Sequence, residues 1–284
     1  MKKQINSAAA LHAEQFHGGG TCECAMANNR TVTEKVGRWV KEAIWAAKTF
    51  SNFPTYFLCR AGFLSEPVDF VLRNGKIIRV HPILDPQTLD EIWRRKEYEF
   101  LPSTGTVVDI GANIGAYSFM AAERGAKVYE YEAMPFNTSL LEKTASQSFV
   151  GHIEVNQVAV GADEKELAFY YADNAYMGRA DYHPDRPKSI RGHCVSFKGV
   201  LERFPVIDSL KIDVEGMEEE LFRSVSTEIM NRVQFMAIEW HPEYSTMGLQ
   251  GFHDPLESMG FEVKFNEFTK IFLCRRHSLS KSIV

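Results

Sequence analysis

The stretch that most constrains the fold is Thr106-Val107-Val108-Asp109-Ile110, followed at once by Gly111-Ala112-Asn113-Ile114-Gly115. An apolar, β-branched run is a strand pattern, and the two glycines mark a tight turn into a helix read from Ile114 to Arg124. The rhythm then repeats. Strands are expected at Lys127–Tyr131, Ile153–Val160, Leu210–Val214 and Phe235–Trp240, with helices at Phe136–Ser148 and Met217–Val225. Strands separated by helix-length segments predict a mostly parallel α/β sheet with helices on both faces. The last two runs, Phe261–Phe265 and Lys270–Leu273, lie close enough in sequence to pair antiparallel.

Upstream of Pro102 the pattern is different. Residues 1–30 are small and polar and read as a flexible tail. His12, His17, Cys22 and Cys24 there are soft-metal ligand types, but their spacing matches no zinc pattern. Val36, Trp39, Val40, Ala43, Ile44 and Ala47 recur at helical spacing and predict a helix that packs by this face. Two apolar runs, Val68–Leu72 and Lys76–Val80, flank Asn74-Gly75, the strongest short hairpin signal. A charged helix is read from Leu89 to Phe100. The expected organisation is a tail (1–30), a helix-and-hairpin extension (31–101), a main α/β domain (102–276) and a C-terminal tail (277–284).

Composition narrows the partners. A formal net charge of −5 and a pI near 6.0 argue against a general nucleic-acid binder, which shows a basic domain. No apolar stretch reaches the roughly 18 residues that span a bilayer. Five cysteines include no Cys-x-x-Cys pair, and Cys59, Cys194 and Cys274 sit in apolar surroundings as expected of reduced, buried thiols. A cytoplasmic protein is expected, of unassigned oligomeric state.

Glycines at a strand-to-helix turn let backbone approach a ligand, and the helix N-terminus offers unpaired N–H groups. Glu132, at the end of the next strand, can accept both ribose hydroxyl hydrogens of an adenosine. Dinucleotide sites use G-x-G-x-x-G, whose second glycine admits a pyrophosphate. Here Asn113 occupies that place, and Asp109 before the turn would repel a diphosphate and attract an ammonium. S-adenosylmethionine is therefore the expected cofactor, held around Asp109, Gly111, Asn113, Gly115 and Glu132.

Four segments resemble the FkbM family of methyltransferases: Val108 to Gly115, Tyr131 to Asn137, Val158 to Gly161, and Leu210-Lys211-Ile212-Asp213-Val214-Glu215-Gly216-Met217-Glu218. The segment Glu91 to Tyr98 is similar to the stretch that precedes the first strand in that family, and the resemblance implies that Tyr98, Ala133 and Val160 also contact the cofactor. The resemblance implies a Rossmann-like class I methyltransferase sheet with an antiparallel C-terminal strand. It also implies O-methylation of a hydroxyl on a sugar or small natural product. An N-methyltransferase of an amine or protein side chain, and a non-catalytic binding module of the same fold, are the alternatives.

In a doubly wound sheet the ligand crevice lies at the carboxyl ends of the strands. Two strand ends there carry unusual chemistry, Asp213-Val214-Glu215 and Glu239-Trp240-His241. His241 is the expected general base, with Asp213, Glu215 or Glu239 orienting it or the acceptor. Activity would then rise with pH through a histidine pKa of about 6.5. One alternative uses Asp213 and Glu239 as oxygen ligands for Mg2+. Another makes Asp213 the N-cap of the next helix. The polar segment Asp173 to Gly192, with Tyr176, Arg179, Tyr182, His183, Arg186, Lys188 and Arg191, is read as a lid or a solvated loop.

Overall fold

The structure is a computed structural model, and it describes residues 32–82, 85–98, 104–171 and 188–277. His12, His17, Cys22, Cys24 and residues 173–187 of the expected lid lie outside these residues. The chain divides into two compact units after Trp45. Helix α1 (Val32–Thr49) crosses that division. Val36, Trp39, Val40 and Ile44, read from the sequence as its packing face, are each about half exposed.

In the second unit, α2 (Phe53–Arg60) precedes the antiparallel hairpin β1 (Val68–Val71) and β2 (Ile77–Val80), as the Asn-Gly turn requires. Next comes α3 (Asp85–Leu89), continued by a π-helical turn over Asp90–Arg94. The charged helix expected from Leu89 to Phe100 is thus earlier and shorter. Arg94 and Arg95 both fold back onto buried Asp90, which ends the turn.

The main sheet contains β3 (Thr106–Ile110), β4 (Lys127–Tyr131) and β5 (Ile153–Asn156), linked by α4 (Ala116–Glu123) and α5 (Pro135–Ser148). The strand expected over Ile153–Val160 is two strands. After β5 the chain leaves the sheet, and β6 (Ala159–Gly161) pairs parallel with β8 (Lys188–Ser196) in a separate three-stranded sheet with β7 (Lys165–Tyr171). Lys188 and Arg191, read as lid residues, are therefore strand residues. Helix α6 (Phe197–Glu202) returns the chain to β9 (Ile207–Ile212). Then come α7 (Glu218–Arg223), α8 (Thr227–Met230), β10 (Val233–Glu239), α9 (Gly248–Ser258), β11 (Phe261–Asn266) and β12 (Ile271–Arg276).

The seven-stranded order is β11-β12-β10-β9-β3-β4-β5. Strands β5, β4, β3, β9 and β10 run parallel, and β12 lies antiparallel between β10 and β11. This is the expected Rossmann-like class I methyltransferase sheet. The alternation of side chains along each strand divides its faces. Val108, Ile110, Tyr131, Leu210, Ile212, Met236, Ile238 and Trp240 face one way into an apolar core with Phe197, Phe252 and Phe272. The opposite face carries the polar residues of the site. Cys59, Cys194 and Cys274 are buried free thiols, as expected.

Candidate active site

Register places two polar rows on that opposite face. Glu130, Asp109 and Lys211 are cross-strand neighbours on β4, β3 and β9. Two residues further along each chain stand Glu132, Gly111 and Asp213, and Glu239 follows laterally at the end of β10, where Ile238 pairs with Ile212. Because the side-chain period is two, these groups all issue from one face at the carboxyl ends of the strands.

The turn after β3 is built for close approach. Gly111 has φ 71° and Gly115 has φ 78°, and Asn113 also adopts the left-handed region with φ 53°. A Cβ on Gly111 would lie 1.7 Å from the Asp213 carbonyl oxygen, so only glycine lets β3 and β9 converge here. The Asn113 N–H donates to Glu132 Oε2 at 2.8 Å, and the Met134 N–H donates to Glu132 Oε1 at 2.8 Å. Oε1 also accepts from Asn137 Nδ2 at 3.4 Å, whereas Oε2, with one bond given, keeps capacity for a ligand hydroxyl. Burial, only partly offset by these bonds, pushes the Glu132 carboxyl up to about 7.

Glu132 and the turn border a cavity of about 700 Å3, part of it open to solvent. Its wall includes Gly111, Asn113, Glu132, Ala133 and Val160, and on the far side Asp213 and Glu215. Met134, Asn137, Phe169 and Met217 also line it and escaped sequence reasoning. The signal for Phe169 was weak because β7 belongs to the unforeseen second sheet. The buried Asn113 Oδ1 has no hydrogen-bond partner among the described residues, although Asn113 lines the cavity. An orphaned acceptor, a carboxylate with spare capacity and a turn crowded against backbone together fit S-adenosylmethionine.

Asp109, Gly115 and Tyr98 lie off that wall. Asp109 is fully buried, accepts from Ser118 Oγ at 2.8 Å and faces Lys211 Nζ at 3.3 Å. Its charge is neutralised inside the protein, so it cannot select a methionine ammonium by direct contact, as the sequence argument had it. Tyr98 is packed edge-on against Tyr117 and donates to Glu239 Oε2 at 2.7 Å. It stands on the Glu239 side of the site instead of the cavity wall.

Asp213 joins the cavity to a second cluster. Ligand-type atoms of Asp213, Glu239 and His241 all lie within 4.8 Å of one another. Asp213 does not cap the helix that follows, because α7 begins only at Glu218. Between them Glu215 (φ 54°) and Gly216 (φ 103°) make a left-handed turn, with the Tyr244 ring lying against Gly216. Buried Glu218 accepts from the Gly216 N–H at 3.0 Å and holds His241 Nδ1 at 2.9 Å. Burial alone would lower the His241 pKa, but Glu218, with Asp213 and Glu215, raises it to about 10. A value that high favours the protonated imidazole, which donates to the carboxylates around it. Burial first, then repulsion from Asp213, pushes the Glu239 carboxyl up to about 8.

Solved structures similar to the chain include three methyltransferases. They are precorrin-6y C5,15-methyltransferase from Geobacter metallireducens GS-15 (12% identity, 70% of this chain and 92% of that one, TM-score 0.37), magnesium protoporphyrin IX methyltransferase from Synechocystis PCC 6803 with bound SAM (14%, 67% and 78%, TM-score 0.40), and the ribosomal protein L11 methylase from Lactobacillus delbrueckii subsp. bulgaricus (13%, 73% and 88%, TM-score 0.41). No curated protein matches the chain. The model of the FkbM methyltransferase domain matches residues 109–263, more than half of the sequence. That span runs from Asp109 within β3 through the Asp213, Glu239 and His241 cluster, and the chain belongs to the FkbM methyltransferase family as an S-adenosylmethionine-dependent methyltransferase.

Proposed function

We propose that the enzyme is an O-methyltransferase acting on a hydroxyl of a carbohydrate or small natural product. The observation that supports it is the convergence of Asp213, Glu239 and His241 beside the cavity. When bound, S-adenosylmethionine supplies a methyl group on a sulfonium. An alcohol is a poor nucleophile until its proton is withdrawn, and the two strand-end carboxylates are groups that can take it. His241, held by Glu218 as an imidazolium, orients Glu239 and Asp213 and donates to the acceptor. Gly111, Asn113 and Glu132 hold the cofactor, and much of the rate comes from this fixed placement.

This reading fixes the sign of the pH dependence. Glu239 becomes a carboxylate only as pH rises through about 8, and His241 loses its proton near 10. Turnover is expected to rise through the first value and fall through the second. His241→Gln should remove the falling limb. Measuring kcat against pH checks it, and a single rise through about 6.5 would return the base role to an ordinary imidazole. Asp213→Asn should bind S-adenosylhomocysteine within a few-fold of wild type while kcat falls by about 100-fold or more.

A second reading is favoured by the same short ligand distances. In it, Mg2+ is held by Asp213 and Glu239, with His241 as third ligand and Glu218 orienting the imidazole. The Lys211 ammonium 3.6 Å from Asp213 weighs against it. Under the metal-free reading, activity survives a strong chelator. A chelator-dead enzyme restored by added Mg2+ would replace the first reading with the second.

A further inference from the structure

A lysine near the carboxyl end of a buried parallel strand demands an account, because an unpaired ammonium there is strongly disfavoured. Lys211 is 3% exposed and makes three contacts. Its Nζ donates to the Gly111 carbonyl oxygen at 2.6 Å, and it lies 3.3 Å from Asp109 Oδ1 and 3.6 Å from Asp213 Oδ2. One of these groups belongs to the cofactor turn, one lies beneath it, and one faces the acceptor side of the cavity.

The surrounding groups concentrate that charge on these three partners. Glu130, the cross-strand neighbour of Asp109 on its other side, is fully buried. Burial, then the nearby Asp109 carboxylate, raises its pKa well above the ordinary carboxyl range. Glu239 is engaged by the Tyr98 hydroxyl. The Lys211 ammonium is matched by the Asp109 and Asp213 carboxylates that flank it.

We infer that Lys211 is a positioning residue that ties the cofactor turn to Asp213, so that the methyl donor and the acceptor-side carboxylate are held in one geometry. Lys211 is not among the residues that line the cavity. It acts by fixing the Gly111 carbonyl and the Asp213 carboxylate relative to each other. This rests on the role given to Asp213 above.

The test is a double-mutant cycle on turnover, run alongside S-adenosylhomocysteine titration. Lys211→Met fills the same space without charge and is expected to lower kcat on the order of 100-fold, the cost of a small misplacement. Homocysteine-adenosyl product affinity should change by less than about tenfold, since Glu132 and Asn113 remain. Lys211→Met/Asp213→Asn should be little slower than Asp213→Asn alone, because residues acting as a unit are not additive. If the two losses multiply, Lys211 does not act through Asp213 and the inference fails by itself. If Asp213→Asn alone turns over normally, the role of Asp213 fails and the inference goes with it. An affinity loss as large as the kcat loss would reduce Lys211 to a support of the cofactor turn and also overturn the inference. Should the lone Asp109 carboxylate prevent Lys211→Met from folding, the same cycle is run in an Asp109→Asn background, with that variant as reference.

Discussion

Gly111→Ala is expected to destabilise the enzyme severely and to abolish cofactor binding. Two costs combine. The residue has φ 71°, where an added Cβ costs roughly 1–2 kcal/mol. The new Cβ would also stand 1.7 Å from the Asp213 carbonyl oxygen and 2.8 Å from its carbonyl carbon. Those are backbone atoms, so no side chain can swing aside. Relief requires β3 and β9 to part where the Asp213 N–H donates to the Ile110 carbonyl oxygen at 3.0 Å. Overpacking of this kind typically costs a further 1–3 kcal/mol or so, and here the neighbours are rigid. Gly151→Ala is the control, because Gly151 has φ 77° but nothing within 4 Å of its Cβ position. Thermal unfolding of both variants separates backbone strain from the clash. Equal losses in the two would show that the convergence at Gly111 does not matter.

Glu132→Ala should weaken S-adenosylmethionine binding by two lost charge-assisted hydrogen bonds, each about 1.5–3 kcal/mol. It also strips the Asn113 and Met134 N–H groups of their acceptor, which loosens the turn itself. Calorimetric titration with an unchanged affinity would remove Glu132 from the ribose role. The raised carboxyl pKa adds a pH signature with two opposite signs. The folded, ligand-free protein holds this proton more tightly than the unfolded chain, a stabilisation present at low pH and lost as pH rises through about 7. Cofactor binding needs the carboxylate, so affinity should fall as pH drops through the same value. Glu132→Gln, which cannot ionise, should bind weakly at every pH and lose that dependence.

Local pattern was enough for much of the fold. The bounds of β3 and β4 were legible to the residue because the β3 run ends at Gly111 and β4 ends before the charged Glu132. Asn74-Gly75 fixed the β1–β2 hairpin, and the short gap between the last two runs fixed the β11–β12 pairing. The tight turn at Gly111 and Asn113 and the Glu132 carboxylate beside it were legible for the same reason: conformation and chemistry were both encoded within one strand–turn–helix segment.

What tertiary structure alone decided depends on partners distant in sequence. The β6-β8-β7 sheet joins residues on either side of a long insertion, which no local period announces. Asp109 reads as an exposed charge beside a turn, yet Lys211, 102 residues later in the chain, neutralises it at 3.3 Å. The one trace of this in the sequence was a lysine set between the apolar Leu210 and Ile212. His241 reads as a base of ordinary pKa until Glu218 is brought to 2.9 Å and Asp213 nearby, which holds its proton to about pH 10. Sequence specifies which groups can ionise, but the proton each one carries follows from burial and from the charges that folding sets against it.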